Sequence, residues 1–268
     1  MPDAHCAEID GLILTELAPR VTVTPLAPPS IAPHHQDPMT TMTLQALIFD
    51  LDGVLTDTAE LHYRTWQRVA EEEGFAFSRS LGDQLRGVSR RASLEAILAG
   101  RVLSEAQMTA LQARKNDHFL TMLNHMTSAD LLPGVLPLLD DARASGLRTA
   151  VASASQNAHA VLDRLGIRPR FDVICDGHSV LHSKPAPDLF LLAATRLNVP
   201  PSACVVFEDA AAGIVGARAA GMMVVGVGPP SRVDGANLVV SSLANVRLAD
   251  LQRLVADRQP PAAEEMYA

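Results

Sequence analysis

The sequence has no apolar run long enough to cross a membrane. Its N-terminus has neither a basic n-region nor a long apolar h-region, so no secretory signal is read and the expected location is cytoplasmic. Cysteine is scarce. Cys6, Cys175 and Cys204 are odd in number, far apart and form no C-x-x-C, which suggests neither a disulfide framework nor a zinc site. Cys175 and Cys204 lie in apolar, strand-like runs and are expected as buried thiols. Basic blocks are absent and the net charge is −8, so nucleic acid is not an expected partner. An anionic substrate remains compatible with that charge, given a local cluster of cations. No G-x-G-x-x-G follows the first strand, which sets aside a dinucleotide-binding domain.

What is present is ordinary in bulk. A hydrophobic content of 48% and a charged content of 19% over 268 residues fit a globular protein of one large or two small domains. Residues 1–43 differ: they hold Pro25, Pro28, Pro29, Pro33 and Pro38, with little periodicity. They are expected to be a disordered leader, or to precede a true start at Met39 or Met42. A loose tail is expected from residue 258, with Pro260 and Pro261.

From residue 44 strands and helices alternate. Strand-like runs cover 45–49, 148–152, 171–175, 204–207, 222–227 and 238–240, and helical patterns cover 134–145, 156–165, 187–197 and 210–220. Gly146, Gly166 and Gly221 follow three of those helices as stops. The alternation predicts an α/β fold with a doubly wound parallel sheet. One stretch breaks it. Residues 59–130 contain no strand pattern and read as helices over 58–73, 78–85, 89–99 and 104–125, an inserted all-helical cap domain. The core is then discontinuous, 44–58 and 131–257.

The chemistry begins at Phe49-Asp50-Leu51-Asp52-Gly53, directly after the apolar run Ala46–Phe49. Gly53 allows a sharp turn, so Asp50 and Asp52 leave the C-terminal edge of the sheet, where open α/β folds bind ligands. One carboxylate there can act as nucleophile and its neighbour can move the proton. Alone, Asp-x-Asp reads as a cap or a plain metal site. Three further segments sit at later strand ends: Ser153 in Ala152-Ser153-Ala154-Ser155, Lys184 in Ser183-Lys184-Pro185, and the acid pair Glu208-Asp209. In isolation they read as a helix N-cap, a solvated lysine and an acidic first turn. Together they converge in a parallel sheet as a nucleophile, an acid/base, a hydroxyl, a cation and a hard-oxygen site suited to Mg²⁺. That set fits phosphoryl transfer.

These four segments resemble the motifs of the haloacid dehalogenase-like superfamily of phosphotransferases. Gly87-Val88-Ser89-Arg90 and Arg114-Lys115-Asn116-Asp117, both in the cap, are similar to the β-phosphoglucomutase branch of that superfamily. The resemblance covers about 44–257. It implies that Asp50 accepts the phosphoryl group and Asp52 acts as general acid and base. Mg²⁺ is then held by Asp50, the Asp52 backbone carbonyl and Asp209, with Glu208 ligating it or orienting its waters. It places Ser153 and Lys184 on the transferring phosphoryl group. Gly87, Val88, Arg90, Ser155 and Asn157 bind the substrate and its second phosphate, and His62 and Lys115 couple cap closure to catalysis. Gln156 stands where the branch has a lysine, which removes a charge near the distal phosphate. His62 reads equally as a packed histidine, Trp66 as packing or sugar contact, and Arg90 as a surface arginine beside Arg91.

The implied activity is interconversion of β-glucose 1-phosphate and glucose 6-phosphate through β-glucose 1,6-bisphosphate. The expected partners are small sugar phosphates and the expected state is a monomer. A sugar-phosphate phosphatase and a non-catalytic phosphosugar sensor are the alternatives.

Overall fold

The apolar run Ala46–Phe49 forms the central strand, β1, fully buried along its length. The computed structural model describes residues 42–258. The expectations for the leader up to residue 41, for Cys6 and for the tail beyond residue 258 lie outside the described residues. Met42, assigned to the leader from the sequence, packs against the core.

Four helices follow β1: α1 (Ala59–Glu73), α2 (Arg79–Gln84), α3 (Arg90–Leu98) and α4 (Glu105–Leu123). The chain then alternates through α5 (Val135–Ala144), β2 (Arg148–Ala152), α6 (Ala158–Arg164), β3 (Val173–Cys175), α7 (Asp188–Leu197), β4 (Cys204–Glu208), α8 (Ala211–Ala219), β5 (Met223–Val227), β6 (Leu238–Val240) and α9 (Leu248–Ala256). The strands form one sheet in the order β3-β2-β1-β4-β5-β6, with parallel pairing throughout. The order reverses between β1 and β4, where doubly wound sheets open a crevice for ligands. Register places Phe49 beside both Val151 and Phe207, so Asp50 and Glu208 leave the same edge at the same level.

Period-2 alternation sends Leu47 and Phe49 to one face and Ala46 and Ile48 to the other. Both faces are covered, which is why the strand reads as continuously apolar. Phe49 stacks on Phe207 at 4.8 Å between ring centroids, so the residues just before Asp50 and Glu208 are locked together.

The six strands fall where the alternation predicted them, with β3 starting at Val173 rather than 171. Helix α6 starts at Ala158, not 156. The Ser153 hydroxyl accepts the Ser155 N–H at 3.0 Å and the Ser155 hydroxyl accepts the Asn157 N–H at 3.2 Å. These side-chain turns compete with the helix. Helix α9 was missed, although Leu248, Leu251 and Val255 repeat at helical spacing. Gly146, Gly166 and Gly221 all take positive φ just after α5, α6 and α8.

The cap has a core of its own, built from Trp66, Val69, Leu94, Ile97, Leu98, Met108 and Leu111. Helix α4 bridges the two bodies: Met108 and Leu111 pack in the cap, while Phe119 and Leu123 pack under the sheet. Lys115 and Asn116, between them, therefore sit at the boundary. Among the described residues, no helix is long and apolar enough to cross a membrane. Cys175 and Cys204 are buried free thiols, as expected.

Candidate active site

Asp50 is 2% exposed at the end of β1, its N–H bonded to the Phe207 carbonyl at 2.9 Å. Gly53 then turns the chain with φ +89°, and a Cβ at that position would overlap the Asp209 carboxylate. Both the conformation and the close approach demand glycine. Lys184 enters from the β3–α7 connection with a fully buried side chain. Its ammonium donates to Asp50 Oδ1 at 2.6 Å and to Glu208 Oε1. Lys184 is thus the cation beside Asp50 that the combined motifs predicted and not the solvated lysine of the motif in isolation: a buried ammonium persists because two carboxylates pair it, and they hold its pKa well above the usual lysine value.

Glu208 and Asp209 are likewise buried. They are not a conventional N-cap, because Ala210 precedes α8 and makes no side-chain cap. Glu208 Oε2 instead accepts the N–H groups of Asp209 and Ala210. Asp50, Glu208 and Asp209 each present an oxygen within 4.8 Å of the others. Burial first raises all three pKa values, that of Glu208 to about 8 and that of Asp209 to about 7; the Asp52 charge adds to the rise at Asp50, against the opposing Lys184, and the Asp50 charge adds to it at Glu208 and Asp209. Asp209 Oδ1 is buried with no hydrogen-bond partner. A hard divalent cation would supply the missing partner and relieve the repulsion, so the residues fit Mg²⁺. The Asp52 carboxylate is not in this cluster.

Asp52 faces the cap instead. Its Oδ1 accepts the Thr58 hydroxyl and lies 3.7 Å from His62 Nε2, an electrostatic contact longer than a hydrogen bond. Burial opposes its ionisation, but His62, the Thr58 hydroxyl and Lys115 outweigh burial and hold the carboxyl below its usual range. His62 Nδ1 meets Lys115 Nζ at 2.8 Å. Burial and the Lys115 charge depress the His62 pKa. Lys115 is 2% exposed, and burial followed by the nearby Arg90 pushes its amine down to about 7.

A cavity between cap and core is lined by Asp50, Asp52, His62 and Lys115 on one side and by Gly87, Val88 and Arg90 on another. Ser155 and Gln156 complete it from the β2–α6 turn. Trp66 is 4% exposed, belongs to the cap core and lines the cavity, with the Lys115 ammonium 5.6 Å from its ring centre. The adjacent arginines part ways. Arg91 is exposed and pairs with Glu95 and Glu105, whereas Arg90 turns inward and donates to Asn116 Oδ1 at 2.8 Å. The same oxygen accepts Asn157 Nδ2 at 2.9 Å, so Asn116 ties the cap arginine to the core. Ser153 is fully buried; its hydroxyl accepts the Ser155 N–H, so it does not cap α6, and it does not line the cavity.

Sequence reasoning missed several contributors. Asn116 lies in the stretch 114–117 and Thr58 at the start of the first cap helix pattern, and neither was assigned a part. Arg86, next to Gly87, and Arg232, in the loop after β5, both reach Asp209 Oδ2, at 3.1 and 3.7 Å. Position beside the cap loop was a signal for Arg86. Arg232 had only its place after a strand end.

With this arrangement in view, the class is defined. Residues 44–221 match the haloacid dehalogenase-like hydrolase family, and the chain is an enzyme of that family. It is 41% identical over 209 residues to β-phosphoglucomutase of Bacillus subtilis, covering 76% of this chain and 92% of that protein. It is 37% identical over 183 residues to fructose-1-phosphate phosphatase of Escherichia coli, covering 68% and 95%. The crystal structure of β-phosphoglucomutase from Clostridium difficile superposes with a TM-score of 0.77 at 38% identity, over 80% of this chain and 98% of that one. The family thus includes both mutases and sugar-phosphate phosphatases.

Proposed function

We propose that this enzyme interconverts β-D-glucose 1-phosphate and glucose 6-phosphate through an aspartyl phosphate and β-glucose 1,6-bisphosphate. The observation that supports a mutase is a second cation at the cavity. Lys184, buried behind Asp50, serves the carboxylate that would be phosphorylated, whereas Arg90 lines the cavity itself, tied through Asn116 to Asn157. A substrate with two phosphates needs a cation for each; a simple phosphatase needs one. Relatedness to β-phosphoglucomutase supports the same reading.

In the proposed cycle, phosphorylated Asp50 meets β-glucose 1-phosphate. Asp52 takes the proton from the 6-hydroxyl as that oxygen attacks phosphorus, and the bond to Asp50 breaks. The bisphosphate turns round. Asp50 then attacks the phosphorus at C1, and Asp52 returns its proton to the departing sugar oxygen, which releases glucose 6-phosphate. Asp50, the Asp52 carbonyl, Glu208 and Asp209 would hold Mg²⁺, which when bound offsets negative charge on the phosphoryl oxygens. Lys184 supplies the fixed cation beside Asp50. Ser153 supports the phosphoryl end through the turn it orders; Gly87, Val88, Ser155, Asn157 and Trp66 shape the sugar and distal phosphate site. His62 and Lys115 place Asp52 when the cap is down. We assign the cap to 59–130 and the core to 44–58 and 131–257.

A phosphatase is the second reading, favoured by Gln156, whose neutral side chain leaves the distal end with fewer cations. The test supplies β-glucose 1-phosphate, Mg²⁺ and a trace of the bisphosphate, and follows glucose 6-phosphate and free phosphate together. Glucose 6-phosphate in large excess supports the mutase; phosphate as the main product replaces it with the phosphatase.

A further inference from the structure

Asp209 is 1% exposed and carries two arginines on one oxygen. Lys184 is committed to Asp50 and Glu208, so the Asp209 charge must be paired by something else. Arg232 does so from the core: its Nε donates to the Asp209 carbonyl at 2.9 Å and its Nη2 lies 3.7 Å from Oδ2. Arg86 does so from the cap, with Nη1 donating to Oδ2 at 3.1 Å. The next residue, Gly87, comes so close to the start of α8 that a Cβ there would lie 3.1 Å from the Ala210 Cβ. Arg86 also forms the wall between the sugar-phosphate cavity and a second cavity lined by Asp57, Arg232 and Ser242. Asp209 Oδ1, in contrast, has no partner and remains for the acid cluster.

The two arginines differ in one mechanical respect. Arg232 stays with the sheet whatever the cap does. Arg86 rides on the loop between α2 and α3, so it leaves Asp209 whenever the cap lifts to admit substrate. We infer that Arg86 is a positioning residue that couples the cap to the cation site: with the cap down and no substrate bound it stands in for part of the divalent charge and weakens cation binding, and with the cap raised it frees Asp209 for the ion. The inference rests on reading Asp50, Glu208 and Asp209 as a divalent-cation site. Linkage makes the coupling reciprocal, so the cation must also bias the empty protein toward an open cap. An incoming phosphate restores the charge balance and lets Arg86 and the cation share the closed site.

The test uses the full chain and Mn²⁺ alone, with affinity read by electron paramagnetic resonance in the absence of any sugar phosphate. Arg86→Ala should bind Mn²⁺ on the order of tenfold tighter than wild type, the effect of removing one charge from a partly buried site. Arg86→Lys keeps the charge and should stay near wild type. Thermal melting gives a second readout: the rise in Tm on adding Mg²⁺ should be larger for Arg86→Ala, because the metal-free form has lost its stand-in cation. Unchanged or weaker Mn²⁺ binding by Arg86→Ala overturns the coupling and leaves the metal site standing. A wild-type protein that binds no Mn²⁺ overturns the coupling together with the metal reading.

Discussion

Asp50 and Asp52 stand two positions apart and meet different surroundings. Asp50 looks at Lys184 and two further buried acids; Asp52 looks at Thr58, His62 and the cavity. In the proposed cycle the first is the nucleophile and the second moves the proton. Asp50→Asn keeps the shape, and Lys184 keeps Glu208 as its partner. Turnover should vanish while the melting temperature moves little. Asp52→Ala should slow turnover by roughly 10²–10⁴-fold while Mn²⁺ still binds, since its carboxylate is outside the acid cluster. Retained turnover in Asp50→Asn excludes the aspartyl phosphate. Lys115 gives a separate handle, because its amine is pushed down to about 7 from 10.5 by burial and Arg90. Between those pH values the unfolded chain holds a proton that the folded chain has lost, so this residue's contribution makes stability rise with pH there; below about pH 7 the full cost of burying the charge is present. Lys115→Met, fitting between Trp66 and Phe119, should melt above wild type at pH 6, and the gap should shrink steadily towards pH 10. A gap that ignores pH contradicts this account of Lys115. Lys115 and Lys184 are also the chain's only lysines, and both are buried at the site. Scarcity thus marks the two buried ammonium groups of the candidate site in the sequence, whereas Arg86 and Arg232 are hidden among many arginines.

At the scale of elements, strand ends were the legible part. Apolar runs followed by Asp50, Ser153 or Glu208-Asp209 mark where a buried strand stops and polar chemistry begins, and the register then brings Asp50 and Glu208 to one level. What was not legible is contact across elements far apart in the chain. Asn116 bridging Arg90 to Asn157, and Arg232 reaching Asp209, depend on how α4 and the β5–β6 connection pack, and no local spacing encodes that. The start of α6 was misjudged for a local reason, since the Ser153 and Ser155 hydroxyls hold the turn open. Helix α8 carries a testable constraint at Gly213, where a Cβ would overlap the Glu208 carboxylate. Helix propensity alone favours alanine over glycine by about 1 kcal/mol. Overpacking opposes it by roughly 1–3 kcal/mol and displaces Glu208 from Lys184. Gly213→Ala should therefore lower stability in urea titration and raise the Mg²⁺ concentration needed for half-maximal activity. A net gain in stability contradicts the packing seen around Glu208.

At the scale of the whole molecule, the proposed function has the cap close on the sheet edge, so that specificity lies in what the cap brings to the cavity. Arg90 is a cap arginine that lines the cavity; in the proposed mutase it binds the distal phosphate and, with Gln156 neutral, should bear more of it than a site with a second cation there would require. A guanidinium matches a phosphate with two parallel donors and does not lose its charge. Arg90→Ala should raise KM for glucose phosphates and abolish mutase flux, yet spare slow hydrolysis of acetyl phosphate, which has no distal phosphate. Equal losses on both substrates place Arg90 outside the distal site.

The central claim is that a sugar hydroxyl, rather than water, takes the phosphoryl group from Asp50. A single-turnover experiment tests it most directly. The enzyme is loaded with Mg²⁺, phosphorylated on Asp50 from ³²P-labelled β-glucose 1,6-bisphosphate, freed of excess label and mixed with unlabelled β-glucose 1-phosphate. The account predicts that label appears in hexose phosphates much faster than it appears as inorganic phosphate. Label released as inorganic phosphate at the same rate with and without the sugar phosphate would contradict it.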